Sequence, residues 1–354
     1  MKIAQIMPEF GLAGAEIMCE NLTYELCKAG HEVVVVSMYD YHSAITERLE
    51  QAGIEIRYLG KKPGLDVSMI PKMAKVFRET GVQVVHTHRY CAQYAMPAAM
   101  LAGVKHRVHT LHSVAPKENK KPARKLSKFF YKHCHVIPVS LSGLVQESVI
   151  EEYGLPACAI PVIYNGIDLS KCVPKDDYAV KGNFKILHIG RFSEEKNHIG
   201  LLTAFQKFHQ IHPDSELWLI GDGKLHPAVQ EHAKNHGMEA SVKFLGLQSD
   251  VYGYMHDADV FALTSNYEGM PMTLIEAMGT GLPIVATRVG GIPDMLDDDS
   301  ALLVPVDMDA VSEAFEKYYC EEALRRTRGQ EAADRAVRFS AEKMAENYLK
   351  VYSA

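Results

Sequence analysis

The stretch "SNYEGMPMTLIEAMGTGLPIVAT", residues 265 to 287, sets two carboxylates, Glu268 and Glu276, on either side of Pro271 in a run that otherwise reads as buried apolar structure. Proline suits the first turn of a helix, where its missing N–H has no partner to lose, and glycine suits the far end. The spacing therefore predicts a short helix between Pro271 and Gly281 that carries Glu276, a loop before it that carries Glu268, and a strand at 283 to 286. A capping acid and a helix-surface acid are the plain structural account of this pair. The functional account is a cleft in which one carboxylate accepts from the hydroxyls of a sugar and the other from those of a ribose, and neither ligand requires a metal.

Outward from this stretch, short apolar runs alternate with helical patterns. Residues 2 to 7, 33 to 37, 82 to 86, 107 to 111 and 135 to 139 read as strands, and "AGAEIMCENLTYELCKAG" (13 to 30) as an amphipathic helix ending at Gly30. After the polar stretch "YNGIDLSKCVPKDDYAVKGNF" (164 to 184) the pattern restarts, with strands at 185 to 189, 216 to 220, 242 to 245, 259 to 263, 283 to 286 and 301 to 304. Such alternation implies parallel sheets covered by helices. At 354 residues the chain exceeds one ordinary core. The expected domains are 1–168 and 184–339, both Rossmann-like, joined by a linker at 169–183 and followed by a helical segment at 340–354. Two such domains facing each other form a cleft, and open parallel sheets bind ligands beyond the carboxyl ends of their strands. Arg191, Asp222 and Glu268 each follow a predicted strand.

Hydrophobic residues make up 47% and charged residues 23%, the values of a globular protein, and the net charge of −6 speaks against nucleic acid as a partner. Seven scattered cysteines without a C-x-x-C pair fit a reduced cytoplasm. The N-terminus lacks the apolar run of a signal peptide, and no stretch reaches the roughly 18 apolar residues of a membrane span. A membrane would be met at its surface.

"HIGRFSEEKNHIGLL" (188 to 202) puts Arg191 just after a strand and Lys196 just before a helix. Held by one loop, they can clamp a diphosphate, the guanidinium as a fork and the ammonium as a point charge; the alternative is a solvated loop in which Glu194 and Glu195 are their partners. "PEFGLAGAE" (8 to 16) offers Gly11 and Gly14 at a helix N-terminus, where backbone N–H groups favour an anion. It is not G-x-G-x-x-G, which argues against a nicotinamide cofactor. Asp257 with Asp259, and Asp307 with Asp309, match D-x-D by chance in a chain with 44 acids, so no metal is expected. The histidines at 86, 88, 106, 109, 133 and 135 lack zinc-site spacing and read as strand-end and surface residues. "KENKKPARKLSKFFYKH" (117 to 133) is strongly basic, and Lys121, Arg124, Lys125, Lys128 and Phe129 could rest on anionic lipid. The alternative is a solvated helix whose aromatics pack inward.

Glu268 and Glu276, seven residues apart and followed by "AMGTGLPIVAT", resemble the E-x7-E signature of retaining glycosyltransferases of family 4, which have the GT-B fold. "NGID" (165 to 168), "GRFSEEKN" (190 to 197), "VKFLG" (242 to 246), "ADVFALTSNYEGMP" (258 to 271) and "GGIPDML" (290 to 296) resemble the other family landmarks in order. The resemblance implies that Arg191 and Lys196 neutralise a leaving diphosphate, that Glu276 holds ribose hydroxyls, and that Glu268 meets the donor sugar with backbone amides around Gly269, Met270 and Pro271. It places the nucleobase beside Leu245 and Leu247, the phosphate near Gly14, and His112 of "HTLHS" beside the transferring sugar. It also implies that residues 340–354 cross back onto the first domain.

One departure is Ala13-Gly14-Ala15-Glu16, where the family has adjacent glycines; a positive φ at Ala13 would strain it. The implied activity is transfer, with retention and without cofactor or divalent metal, from a UDP- or GDP-type sugar donor to a hydroxyl of a lipid-linked or cell-surface polysaccharide precursor. The implied place is the cytoplasm, at the inner face of the membrane. A nucleotide-sugar epimerase of the same fold and a non-catalytic nucleotide-sugar binder are the alternatives.

Overall fold

Both halves of the chain form a six-stranded parallel sheet, as seen in a computed structural model that describes residues 1–11, 13–248 and 250–353. The first unit comprises Met1–Ile167 and the C-terminal helix Ala341–Tyr352. Its strands are β1 (Lys2–Met7), β2 (Glu32–Ser37), β3 (Glu55–Tyr58), β4 (Val84–His88), β5 (His106–Leu111) and β6 (Val136–Ser140), in the order β3-β2-β1-β4-β5-β6. The second unit, Asp168–Ser340, holds β7 (Phe184–Ile189), β8 (Ser215–Ile220), β9 (Val242–Gly246), β10 (Val260–Leu263), β11 (Ile284–Thr287) and β12 (Leu302–Val304), in the order β12-β11-β10-β7-β8-β9. Each sheet starts in its middle, is built out to one side, and then crosses to the other. The chain therefore leaves neighbouring strands in opposite directions at β1/β4 and at β7/β10, the two places where such sheets open a crevice for ligands.

β3 was not expected from sequence. Its residues Glu55 and Arg57 are exposed and bonded to each other at 2.6 Å, so this edge strand carries no apolar run to reveal it. Residues 169–183, expected as a linker, are instead a strap on the second unit. Cys172 and Tyr178 are buried, and Lys175 donates to the carbonyls of His256 and Ala258. The strap's polar composition concealed two anchors. A Cβ at Gly279 would lie 2.8 Å from Cys172 Sγ, and one at Gly281 3.0 Å from the Tyr178 hydroxyl, so glycines let the strap lie close.

The C-terminal helix packs its buried face, Met344, Ala345, Tyr348, Val351 and Tyr352, into one cluster with Ile3, Met18, Leu22 and Val108 of the first unit. Two fully buried tyrosines contribute on the order of several kcal/mol, given about 25 cal/mol per Å² of apolar area. Among the described residues no helix is long and apolar enough to cross a membrane.

Candidate functional site

The β7/β10 crevice is assembled by two loops. Asn197 adopts a left-handed φ of 53° and caps the helix His198–Ile211, its Oδ1 accepting from Gly200 N at 3.2 Å. Its Nδ2 donates across to Thr264 O at 3.2 Å. In return Asn266 donates to the carbonyls of Glu195, at 2.7 Å, and Glu194, at 2.9 Å. These bonds lock the loop after β7 to the loop after β10. They bring Lys196 Nζ to 2.6 Å from Glu268 Oε1, which also accepts from Ser265 Oγ at 2.5 Å. Glu268 is only 7% exposed. The Lys196 cation is thus paired with Glu268, 72 residues away. Arg191 is exposed at the end of β7 and makes no ion pair among the described residues.

Glycines permit this approach of backbones. At Gly290, φ is 57° and a Cβ would lie 1.7 Å from Glu268 O, so only glycine lets the turn before Ile292 support the Glu268 loop; Gly291 N donates to the same oxygen at 3.2 Å. At Gly221 a Cβ would lie 2.1 Å from Gly190 O, and at Gly223 2.5 Å from Phe192 O. The "GDG" turn therefore braces the Arg191 loop from the β8 side.

Pro271 caps the helix Met272–Gly279, and Gly281 follows it with φ of 66°. Glu276 on this helix is partly buried against the strap, near Lys171, Cys172 and Tyr252. Burial lifts its carboxyl to about 7, opposed by the Lys171 charge and a hydrogen bond from Tyr252. Met270 and Pro271 are buried, Gly269 half-buried. Leu245 is half-buried near the end of β9, and Leu247, past the left-handed Gly246, is 74% exposed.

In the first unit, Gly14 begins the helix Gly14–Lys28, and Ala13 before it is extended (φ −121°, ψ 166°), so alanine there is unstrained. Glu16, buried in the first turn, pairs with Arg89, whose own φ is 53°. His112 follows β5, half-buried. The surface reading of the other histidines is corrected for three of them. His86, His88 and His109 are fully buried, and His88 Nδ1 lies 3.0 Å from His112 Nε2. His86 and His88 lie on β4, which borders the β1/β4 crevice, and His109 on its outer neighbour β5; their burial was concealed because histidine disguises an apolar run.

The helix Lys121–His133 is divided. Ser127, Phe130 and Tyr131 face inward, while Lys121, Lys125, Lys128 and Phe129 (52%) are exposed. Arg124 does not belong to the exposed face; it donates to Pro116 O at 2.9 Å and pairs with Glu152 at 3.2 Å. The D-x-D acids have structural work. Asp259 accepts from Lys185 N, Asp307 caps the helix Met308–Cys320, and Asp309 pairs with Lys207. Among the described residues no three histidine, cysteine or acidic side chains group as a metal site.

Two family models account for nearly the whole chain. "Glycosyltransferase Family 4" matches residues 12–171, and "Glycosyl transferases group 1" matches residues 175–335, the part that holds the Lys196–Glu268 pair and Glu276. The chain belongs to glycosyltransferase family 4. This glycosyltransferase is 26% identical, over 96% of its length and 94% of the relative's, to N-acetyl-alpha-D-glucosaminyl L-malate synthase of Bacillus anthracis. It is 29% identical, over 64% of its length and 63% of the relative's, to UDP-Gal:alpha-D-GlcNAc-diphosphoundecaprenol alpha-1,3-galactosyltransferase of Escherichia coli. Its fold matches that of Anabaena Alr3699/HepE, solved with UDP and glucose, at a TM-score of 0.86, with 20% identity and all of both chains covered. A glycosyltransferase from Rickettsia africae matches at 0.85, with 19% identity over 99% of this chain and 97% of that one. The glycosyltransferase has the GT-B fold.

Sequence reasoning found the charged groups of the crevice and missed their braces. Asn197, Asn266 and Ser265 were visible as polar residues beside Lys196 and Glu268. The glycine pair at 290 and 291 was visible too, but nothing local said that it meets Glu268.

Proposed function

We propose that this glycosyltransferase takes a sugar from a UDP-linked donor and transfers it, with retention and without a divalent metal, to a hydroxyl of a lipid-linked or surface-polysaccharide precursor at the cytoplasmic face of the membrane. The observation that carries the reading is the Lys196–Glu268 pair beside Arg191 at the β7/β10 crevice. Cations fixed there stabilise the charge that grows on a leaving diphosphate, and electrostatic stabilisation of this kind is usually what lowers the barrier most. Glu268 takes the hydroxyls of the donor sugar and acts as no nucleophile; the leaving phosphate oxygen accepts the acceptor's proton on the face that the diphosphate vacates. Glu276 takes the ribose hydroxyls. The backbone at Gly269 to Pro271 lines the sugar, the segment from Leu245 to Leu247 borders the base, Gly14 takes phosphate, and His112 lies beside the transferring sugar. The UDP assignment is supported by the ligands of the Anabaena structure and the donor named for the Escherichia coli relative.

Thermal unfolding with UDP, GDP and ADP and their common sugar conjugates, with and without EDTA, tests the donor class. A nucleotide at about 100 times its Kd adds about 2.7 kcal/mol of stability. Stabilisation by UDP or a UDP-sugar, unchanged by EDTA, is expected; selectivity for GDP would refute the UDP donor, and sensitivity to the chelator would refute metal independence.

On the acceptor side, Lys121, Lys125, Lys128 and Phe129, with Leu126 exposed between them, form the surface that would lie on anionic lipid. Each lysine near such a surface is worth about 1 kcal/mol. The protein should sediment with phosphatidylserine-rich vesicles at low salt, and Lys125→Glu with Lys128→Glu should release it. Equal sedimentation of the two proteins would rule out membrane contact through this face.

A further inference from the structure

A hydrogen-bond chain runs from the C-terminal helix through the first sheet to His112. Tyr352 OH lies 2.7 Å from His86 Nδ1 and 3.3 Å from Gln5 Nε2, and His86 Nε2 lies 2.7 Å from Thr110 Oγ1, which in turn meets Tyr348 OH at 2.8 Å. On its other side Gln5 presents Oε1 to His88 Nε2 at 2.9 Å, and His88 Nδ1 meets His112 Nε2 at 3.0 Å. Gln5, Thr110, His86 and His88 are fully buried. A buried contact between two polar groups needs one hydrogen, neither none nor two.

Gln5 fixes the direction of the whole chain. Its NH2 can only donate, so the Tyr352 oxygen accepts from it and turns its own hydrogen to His86 Nδ1. His86 then donates from Nε2 to Thr110. The Gln5 carbonyl can only accept, so His88 is protonated at Nε2 and its Nδ1 carries a lone pair. His112 must therefore supply the hydrogen from Nε2. Burial keeps all three rings neutral: His86 and His88 titrate well below the ordinary range, and His112 at about 3, with the neighbouring His109 and Arg89 adding to the effect. A neutral imidazole protonated at Nε2 has an unprotonated Nδ1.

We infer that His112 offers substrate a hydrogen-bond acceptor, its Nδ1 lone pair, and that Gln5 and His88 are positioning residues which hold it in that tautomer. The inference rests on the proposed contact between His112 and substrate. It names the kind of group taken there: a hydroxyl that donates. A phosphate or carboxylate oxygen would find no proton on that nitrogen. The C-terminal helix enters through Tyr352, whose oxygen accepts from the Gln5 amide.

The test is two-bond proton–nitrogen correlation on protein labelled with 15N-histidine at pH 7, with His112→Ala supplying the assignment. His112 is expected to show a protonated-type Nε2 and an unprotonated-type Nδ1. A protonated Nδ1, a mixture of tautomers or an imidazolium overturns the inference while leaving the proposed function intact. Gln5→Leu should lower turnover about tenfold, the worth of one hydrogen bond, and let His112 populate both tautomers. Turnover is read as UDP release from UDP-glucose, UDP-galactose or UDP-N-acetylglucosamine, whichever stabilises the protein. The Kd for UDP should stay unchanged, because UDP contains no group that reads the tautomer. A Gln5→Leu protein with wild-type turnover overturns the positioning role, and His112→Ala with full turnover overturns the inference together with the role proposed for His112.

Discussion

Lys196→Ala lowers turnover by about a hundredfold to a thousandfold, the loss usual when one preorganised charge-stabilising group is removed from a developing anion. The ammonium is held by a carboxylate 2.6 Å away on a loop that is itself bonded to the Lys196 loop, so little reorganisation is left for the reaction. Arg191→Ala should act in the same direction and less strongly, because that side chain is exposed and more easily replaced by water. The measurement is UDP release under saturating donor. Near wild-type rates in both single variants would sink the electrostatic account.

The same substitution also removes the partner of Glu268, at 7% exposure, and leaves Ser265 as its donor. An acceptor deprived of a charged donor costs about 1 to 3 kcal/mol, so the variant should melt earlier as well as work more slowly. Pairing Lys196→Ala with Glu268→Gln separates the two effects. The neutral amide needs no cation and Ser265 can still donate to its oxygen, so stability should return while turnover does not. If turnover returned with stability, Lys196 would be a structural strut and not part of the chemistry.

The difference between what the residues announced and what the fold added lies in sequence distance. Pro271, Gly281 and the charges of "GRFSEEKN" act through their own backbone, and local rules place them correctly: the cap, the left-handed turn and the loop after a strand are all where the residues require them. The apolar runs of β1, β2 and β7 are legible because both faces of a central parallel strand are buried. The edge strand at Glu55–Tyr58 escapes that rule because its alternating charges satisfy each other. The Lys196–Glu268 pair, the seat of Gly290 under the Glu268 carbonyl and the route from Tyr352 to His112 join residues tens to hundreds of positions apart. No local pattern carries them. Arg124 shows the converse: its charge suggested the exposed face, yet its carbonyl and carboxylate partners take it out of that face.

Glu276→Ala should weaken UDP binding by about 1.5 to 3 kcal/mol, the worth of a hydrogen bond to a charged acceptor, and leave turnover at saturating donor nearly unchanged. The pH dependence of the wild-type protein gives this reading a second handle. Burial raises the Glu276 carboxyl from its ordinary 4.5 to about 7. An acid whose pKa is higher in the folded state binds its proton more tightly there, so this residue's contribution to stability is greatest below pH 4.5, declines as the pH rises toward 7, and is constant above. Donor affinity should run the other way. Ribose hydroxyls donate to a carboxylate, so the ionised form binds, and calorimetric Kd values for a UDP-sugar, whose esterified diphosphate does not titrate in this range, should tighten from about pH 6 to about 8 and then level. Glu276→Gln abolishes both trends, since an amide does not titrate in this range. Affinity that is flat with pH in the wild type, or a loss of turnover in Glu276→Ala with affinity intact, would remove Glu276 from the ribose and return it to the role of a buried acid leaning on the 169–172 strap.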